Sequence, residues 1–191
     1  MNIAAIPDFS PAASIAVFAF GASLPTWVVL FCATILIWLL VVYVLLLSVR
    51  ARLVLRTIAF RYTAIVLIAI GANTIIEWFF FRSRPFVALG FDPVVHVSIY
   101  SGSFPSDHAA VAWVIAVFAA LQLKKSRPLF IGSALLISFG RVLAGVHYLS
   151  DIAAGAIVGT AVGVVMDYYF VRMHGSWLTR VKERLLGDRR V

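Results

Sequence analysis

The sequence predicts an all-α, polytopic membrane bundle: five spanning helices plus an N-terminal helix that is either interfacial or a sixth span. Three observations carry this. The 191-residue chain is 63% hydrophobic and only 13% charged, with a mean hydropathy of +1.03, far too little charge for a soluble domain of this length. Leu24 to Val49 holds no charged side chain, long enough as a helix to cross about 30 Å of hydrocarbon. The basic residues fall in separate groups between apolar runs, the pattern that sets membrane topology.

Residues 10–22 form the first apolar stretch. It is short for a span, contains Pro11 and Gly21, and is followed by Pro25. It reads as an interfacial or re-entrant helix, or as a tight sixth span that would move the N-terminus to the other face. No Lys or Arg precedes Arg50, so residues 1–23 lack the basic region of a cleavable leader. Spanning helices follow over 24–48, 60–80, 106–123, 129–146 and 151–171. The single Cys32 lies inside the first, so no intramolecular disulfide forms and redox chemistry is not expected. Residues 1–171 make one membrane domain and 172–191 a basic cytoplasmic tail. In that tail Trp177, Val181 and Leu185 recur every four residues among Arg180, Lys182 and Arg184, which suits a helix lying on an anionic leaflet.

Charge gives the orientation. Arg50, Arg52, Arg56 and Arg61 follow the first span, Lys124, Lys125 and Arg127 the third, and the tail carries six more. Five alternating spans put these thirteen of the sixteen basic residues on one face, which the positive-inside rule makes cytoplasmic. The net charge of +8 is therefore a topology signal and not a nucleic-acid footprint. The three remaining cations, Arg82, Arg84 and Arg141, fall on the opposite, outer side, where basic residues are disfavoured unless they have a task.

These three belong to polar clusters that the alternation gathers on that outer face. Ionisable groups at membrane depth are functional candidates by default. His147 and Asp151 are four residues apart and share a helix face. A carboxylate bonded to one ring nitrogen would fix the tautomer and free the other nitrogen to attack, although the same spacing also serves structural hydrogen bonds. Pro105 before a long apolar run marks a helix start, whose first amides and dipole favour an anion. Ser106 adds a hydroxyl, and His108 is placed to donate a proton. Ser106 or Asp107 also suits a helix cap. Arg84 and Arg141 match phosphate oxygens bidentately; Arg84 also suits an interfacial anchor. A competing arrangement has His108, His147 and Asp151 bind zinc, but two flanking arginines would repel a dication. No metal or cofactor is expected. His96, His174 and Asp167 lie outside the clusters, and the aromatic run Trp78–Phe81 fits an interfacial belt.

Together the clusters resemble the type 2 phosphatidic-acid phosphatase superfamily. Its motifs run Lys-x6-Arg-Pro, Pro-Ser-Gly-His and Ser-Arg-x5-His-x3-Asp. Here Arg84-Pro85 ends the first, Pro105-Ser106-Asp107-His108 is the second, and Gly140-Arg141-x5-His147-x3-Asp151 is the third. Arg-Pro-Phe-Val-Ala at 84–88, Phe-Pro-Ser-Asp-His at 104–108 and Asn73 resemble the bacterial bacitracin-resistance branch, the undecaprenyl-pyrophosphate phosphatases. Three positions depart from the motifs, one being Asp107, which stands where the second has glycine and still offers its backbone amide to phosphate. Glu77 stands where the first has lysine, so Arg82 supplies the missing charge, or Glu77 orients an arginine, or a cation on the diphosphate intervenes. Gly140 stands where the third has serine, at a cost of one hydrogen bond.

The resemblance implies a polyprenyl diphosphate substrate within the membrane lipids and a site facing outward. It implies His147 as nucleophile, oriented by Asp151; Arg84, Arg141, Ser106 and the Asp107 amide on the phosphate; and His108 as proton donor. Glu77 and Arg82 join the substrate-binding candidates. The product is the monophosphate carrier lipid, recycled for cell-wall synthesis. Phosphatidic acid or phosphatidylglycerol phosphate as substrate, a lipid acceptor in place of water, and a small anion or lipid transporter are the alternatives.

Overall fold

The structure is a computed structural model. It describes the backbone of residues 11–50, 52–122 and 126–185, and the side chains in those ranges except 47–50, 52–61, 122 and 171–185. The described residues form helices and connecting turns. In order these are α1 (Pro11–Ser23), α2 (Thr26–Leu30), a π-helical turn (Phe31–Ile35), α3 (Leu36–Arg50), α4 (Arg52–Phe79), α5 (Pro85–Leu89), α6 (Asp107–Gln122), α7 (Arg127–Leu143) and α8 (Leu149–Leu185).

Three segments are long and apolar enough to cross a membrane: Thr26–Leu46, Tyr62–Phe79 and Leu149–Phe170. The first is one rod made of α2, the π turn and α3. With 16 and 17 residues, α6 and α7 reach about 24–26 Å. The expected count of five therefore meets three segments that pass on length, with α6 a shorter apolar helix and α7 packed against it.

Helix α6 is central because it is apolar on every side and leaves no face for water. Ala112, Ile115 and Ala116 pack against Ile37 and Leu40 of α3 and Phe130, Ala134 and Ile137 of α7. Val114 and Phe118 meet Tyr62, Ile65 and Ala69 of α4. Against α8 the approach is closer still. A Cβ at Gly155 or Gly159 would run into the Ser106 or Ala110 carbonyl, so the two helices touch backbone to backbone. That contact sets the second motif, at the start of α6, beside the third, at the start of α8.

Helix α1 lies against the α7–α8 junction. Ser14 Oγ accepts from the Leu149 amide at 3.1 Å, Gly21 abuts the Leu143 backbone, and Phe18 stacks on Phe91 with centroids 4.1 Å apart. Its 13 residues extend about 20 Å, short of a bilayer core. Its contacts with Leu143, Leu149 and Phe91 place it at the motif-bearing end of the bundle.

The backbone of α8 continues through the start of the expected tail to Leu185. The side chains of Trp177, Arg180, Val181, Lys182, Arg184 and Leu185 lie outside the described residues, as do those of Arg50, Arg52, Arg56, Arg61, Lys124 and Lys125.

Candidate active site

Local sequence builds the site in three pieces. Pro85 opens α5 with Arg84 extended before it (ψ 152°), and Gly90 closes that turn in the left-handed conformation. Asp107 opens α6, whose first amides have no intrahelical acceptor. Between α7 and α8, Gly145 takes φ +74°, and a Cβ there would strike the Phe91 and Phe18 rings. That left-handed turn swings His147 inward, where it is 4% exposed.

The two ring nitrogens of His147 have different partners. Nδ1 lies 2.7 Å from the Ser103 carbonyl oxygen. A carbonyl only accepts, so Nδ1 carries the proton and Nε2 keeps its lone pair. Nε2 faces Arg84 Nη1 at 3.2 Å. Asp151, expected to hold Nδ1, stands off at 3.6 Å, beyond hydrogen-bond reach. Its Oδ1 instead pairs with Arg82 Nη1 at 2.6 Å and its Oδ2 accepts from the Tyr148 amide at 2.7 Å. Burial pushes the His147 imidazole down to about 4; Arg141 and Arg84 act in the same direction and Asp151 against it.

Arg84 is half-buried and held from two sides. Nε donates to Ser101 Oγ at 3.2 Å and Nη1 to the Val146 carbonyl at 3.1 Å. Desolvation lowers its pKa, with Glu77 the first of the opposing carboxylates. Arg141 is 3% exposed and donates from Nη1 to the Ala33 carbonyl at 3.1 Å. Ala33 sits in the π turn, where carbonyls depart from the i−4 pattern and serve other donors. This also accounts for Gly140: a Cβ there would meet the Cys32 carbonyl carbon at 2.7 Å and the Ala33 nitrogen at 2.8 Å. The residue preceding Arg141 has no room for serine.

Arg82 is buried, paired with Asp151, bonded to Ser150 Oγ at 2.7 Å and stacked 4.6 Å from the Tyr148 ring centroid. Glu77 Oε1 accepts from the Gly102 amide at 2.6 Å. Asp107 accepts from Asn73 Nδ2 at 2.9 Å, joining α6 to α4. His108 stands in the first turn of α6, next to Asp107. Among the described residues, Arg82 Nη2, Ser106 Oγ and Arg141 Nε are buried polar atoms without a protein partner. Buried polar groups left unpaired are costly, and Thr34 Oγ1 and Asn73 Oδ1 share this state. No three His, Cys, Asp or Glu side chains group as metal ligands among the described residues.

An apolar groove of about 290 Å³ starts at Asp107 and His108 and runs between α3, α4 and α6 past Trp38, Val41, Val66 and Val111. It adjoins a further cavity of about 150 Å³ that shares Val41, Val66 and Val111 and ends at Tyr62 and Phe118.

A profile of the PAP2 superfamily matches residues 58–174, which contain all three motifs. The chain belongs to the PAP2 superfamily. Within it, the chain is 32% identical over 120 residues to the undecaprenyl-diphosphatase BcrC of Bacillus subtilis (strain 168), covering 60% of each chain. It is 31% identical over 92 residues to the bacitracin transport permease protein BcrC of Bacillus licheniformis, covering 46% of this chain and 45% of that one. The chain thus spans less than two thirds of these curated relatives. The fold is similar to the transmembrane PAP2-type phosphatidylglycerolphosphate phosphatase of Bacillus subtilis, with a TM-score of 0.63, 22% identity, and 84% and 86% of the two chains covered.

The site therefore unites residues from all three sequence clusters. Sequence reasoning missed Ser103 and Ala33, whose main-chain carbonyls hold His147 and Arg141. No side-chain identity signals a main-chain acceptor; only the glycine at 140 hinted at a close approach.

Proposed function

We propose that this PAP2 protein is an integral-membrane lipid phosphatase. Its substrate is undecaprenyl diphosphate or a close polyprenyl diphosphate, and its products are the lipid monophosphate and inorganic phosphate. The observation that carries the reading is His147: its Nδ1–H is committed to Ser103, and its bare Nε2 is directed at the position held by Arg84. A lone pair beside a guanidinium is the arrangement needed to attack a phosphorus whose oxygens that guanidinium neutralises.

In this mechanism Nε2 of His147 forms a bond to the terminal phosphorus as the bridging P–O bond breaks. Arg84, Arg141, Ser106 Oγ and the Asp107 amide hold the equatorial oxygens. His108 protonates the departing lipid phosphate, then takes a proton from the water that splits the phosphohistidine. In-line displacement puts the leaving group opposite His147. The apolar groove lined by His108, Trp38, Val41, Val66 and Val111 is the path assigned to the prenyl chain. The grouping of thirteen of the sixteen basic residues away from the motifs supports a site on the outer face of a bacterial plasma membrane, and the BcrC relative named an undecaprenyl-diphosphatase supports the substrate.

The test is phosphate release by purified protein from polyprenyl diphosphate, polyprenyl monophosphate and phosphatidic acid, each with and without chelator. The diphosphate is expected to turn over fastest, and His147→Ala to abolish release. Preference for phosphatidic acid would reassign the substrate. Phosphate moved to a lipid acceptor without free phosphate would make the protein a phosphotransferase. Normal turnover by His147→Ala would remove the mechanism.

A further inference from the structure

The segment 101–106 crosses the site and bonds to it repeatedly. Ser101 takes Arg84, the Gly102 amide reaches Glu77, the Ser103 amide reaches the Arg82 carbonyl at 2.8 Å, and the Ser106 amide reaches the Asp151 carbonyl at 3.1 Å. The Ser103 carbonyl then receives His147 Nδ1–H. We propose that Glu77 is a positioning residue for His147, acting through the main chain of Gly102 and Ser103.

The two amides just before the Ser103 carbonyl are both tethered, one by Glu77 and one by Arg82. The Glu77 contact is short, a carboxyl oxygen accepting from a backbone N–H at 2.6 Å. It is also shaped to its partner: a Cβ on Gly102 would fall 2.7 Å from Glu77 Oε1 and 3.0 Å from its Cδ. The carboxylate and the missing side chain fit one another. Without Glu77 this stretch loses its link to α4, and the carbonyl that selects the His147 tautomer loses one of its two upstream anchors.

The alternative is that Glu77 works through its charge, since Arg84 and Asp107 both lie within its electrostatic reach. Glutamine separates the two: it keeps an oxygen for the Gly102 amide and discards the charge. The kinetic arm of the test rests on the phosphatase reading above; the spectroscopic arm does not.

Protein labelled with 15N-histidine is purified in detergent as wild type, Glu77→Gln, Glu77→Ala and Gly102→Ala, the His147 signals being assigned by their loss in His147→Gln. Wild type and Glu77→Gln are expected to show protonated Nδ1 and bare Nε2. Glu77→Ala is expected to show a mixture of tautomers, and so is Gly102→Ala, whose methyl displaces the carboxylate. Phosphate release from polyprenyl diphosphate should fall about 10²-fold in kcat for Glu77→Ala, with KM nearly unchanged, and Glu77→Gln should restore most of it. Wild-type tautomers in Glu77→Ala and Gly102→Ala would overturn the proposal. So would equal loss in Glu77→Gln and Glu77→Ala, or a rise confined to KM. A wild-type protein that releases no phosphate would defeat the functional reading, and the tautomer comparison would still decide the role of Glu77.

Discussion

Arg84 Nη1 lies 3.2 Å from His147 Nε2, so the guanidinium approaches the imidazole from its unprotonated side. The two residues are 63 positions apart and come from different connections, one before α5 and one between α7 and α8. A cation next to that lone pair disfavours protonation and gives an incoming phosphate a counter-charge. The arrangement suits binding an oxyanion and attacking it from one position.

Arg84 should therefore matter most to the chemical step. Arg84→Lys keeps a positive charge but cannot bond Ser101 and Val146 while presenting a fork to phosphate. The expected loss in kcat/KM is on the order of 10²–10³-fold, read from steady-state phosphate release. Activity within about threefold of wild type would show that charge alone suffices there.

Arg82 should matter to the fold. It neutralises Asp151, whose side chain is fully buried. Arg82→Met would leave a buried carboxylate without its partner, a change that costs about 3–5 kcal/mol in comparable buried pairs. Thermal unfolding in detergent should show a large fall in midpoint. A midpoint within a degree of wild type would mean that Asp151 has another source of compensation.

The His147 environment sets a pH dependence with a definite sign. Its folded pKa is about 4, below the ordinary value near 6.5. Between those values the unfolded chain binds the extra proton and the folded one does not, so stability rises with pH across that window. The slope reaches about 1.4 kcal/mol per pH unit at most. The unfolding midpoint should climb between about pH 4 and 6.5 in wild type, and more shallowly in His147→Gln. Identical profiles would place the titration elsewhere.

The groove makes a prediction about chain length. Val111 lines both the groove and the adjoining cavity, so Val111→Trp should block the passage without reaching the phosphate. Turnover of a polyprenyl diphosphate is expected to fall at least tenfold, about 1.4 kcal/mol, with release from a short soluble phosphate ester preserved. Equal effects on both substrates would mean that the prenyl chain lies elsewhere.

Much of this was legible in the sequence. Apolar runs marked the helices, because in lipid every backbone group must be satisfied within its own segment and a helix does so. The ends of 24–48, 106–123 and 129–146 fall within a few residues of the observed ones, whereas α4 begins eight residues before the expected start and α8 runs on to Leu185. The motif side chains pointed to the site because charged residues at that depth need partners. What stayed hidden were contacts between a side chain and a distant main chain. His147 finds Ser103 across 44 positions and Arg141 finds Ala33 across 108. Either acceptor would be the same carbonyl whatever residue stood there. The spacing of His147 and Asp151 suggested one shared helix face, but His147 lies in the turn before α8 and only Asp151 stands on that helix. Nor did the spacing show that Arg82 and the Tyr148 amide would take the carboxylate first.

The central claim is that Nε2 of His147 becomes bonded to phosphorus, and trapping that bond tests it most directly. Protein is mixed with polyprenyl diphosphate carrying 32P in the terminal phosphate, quenched in alkali during the first turnover, digested and mapped. The label should be stable in base, lost in acid, located on the peptide containing His147 and missing from His147→Gln. Full-rate release of labelled phosphate with no label at His147 would contradict it.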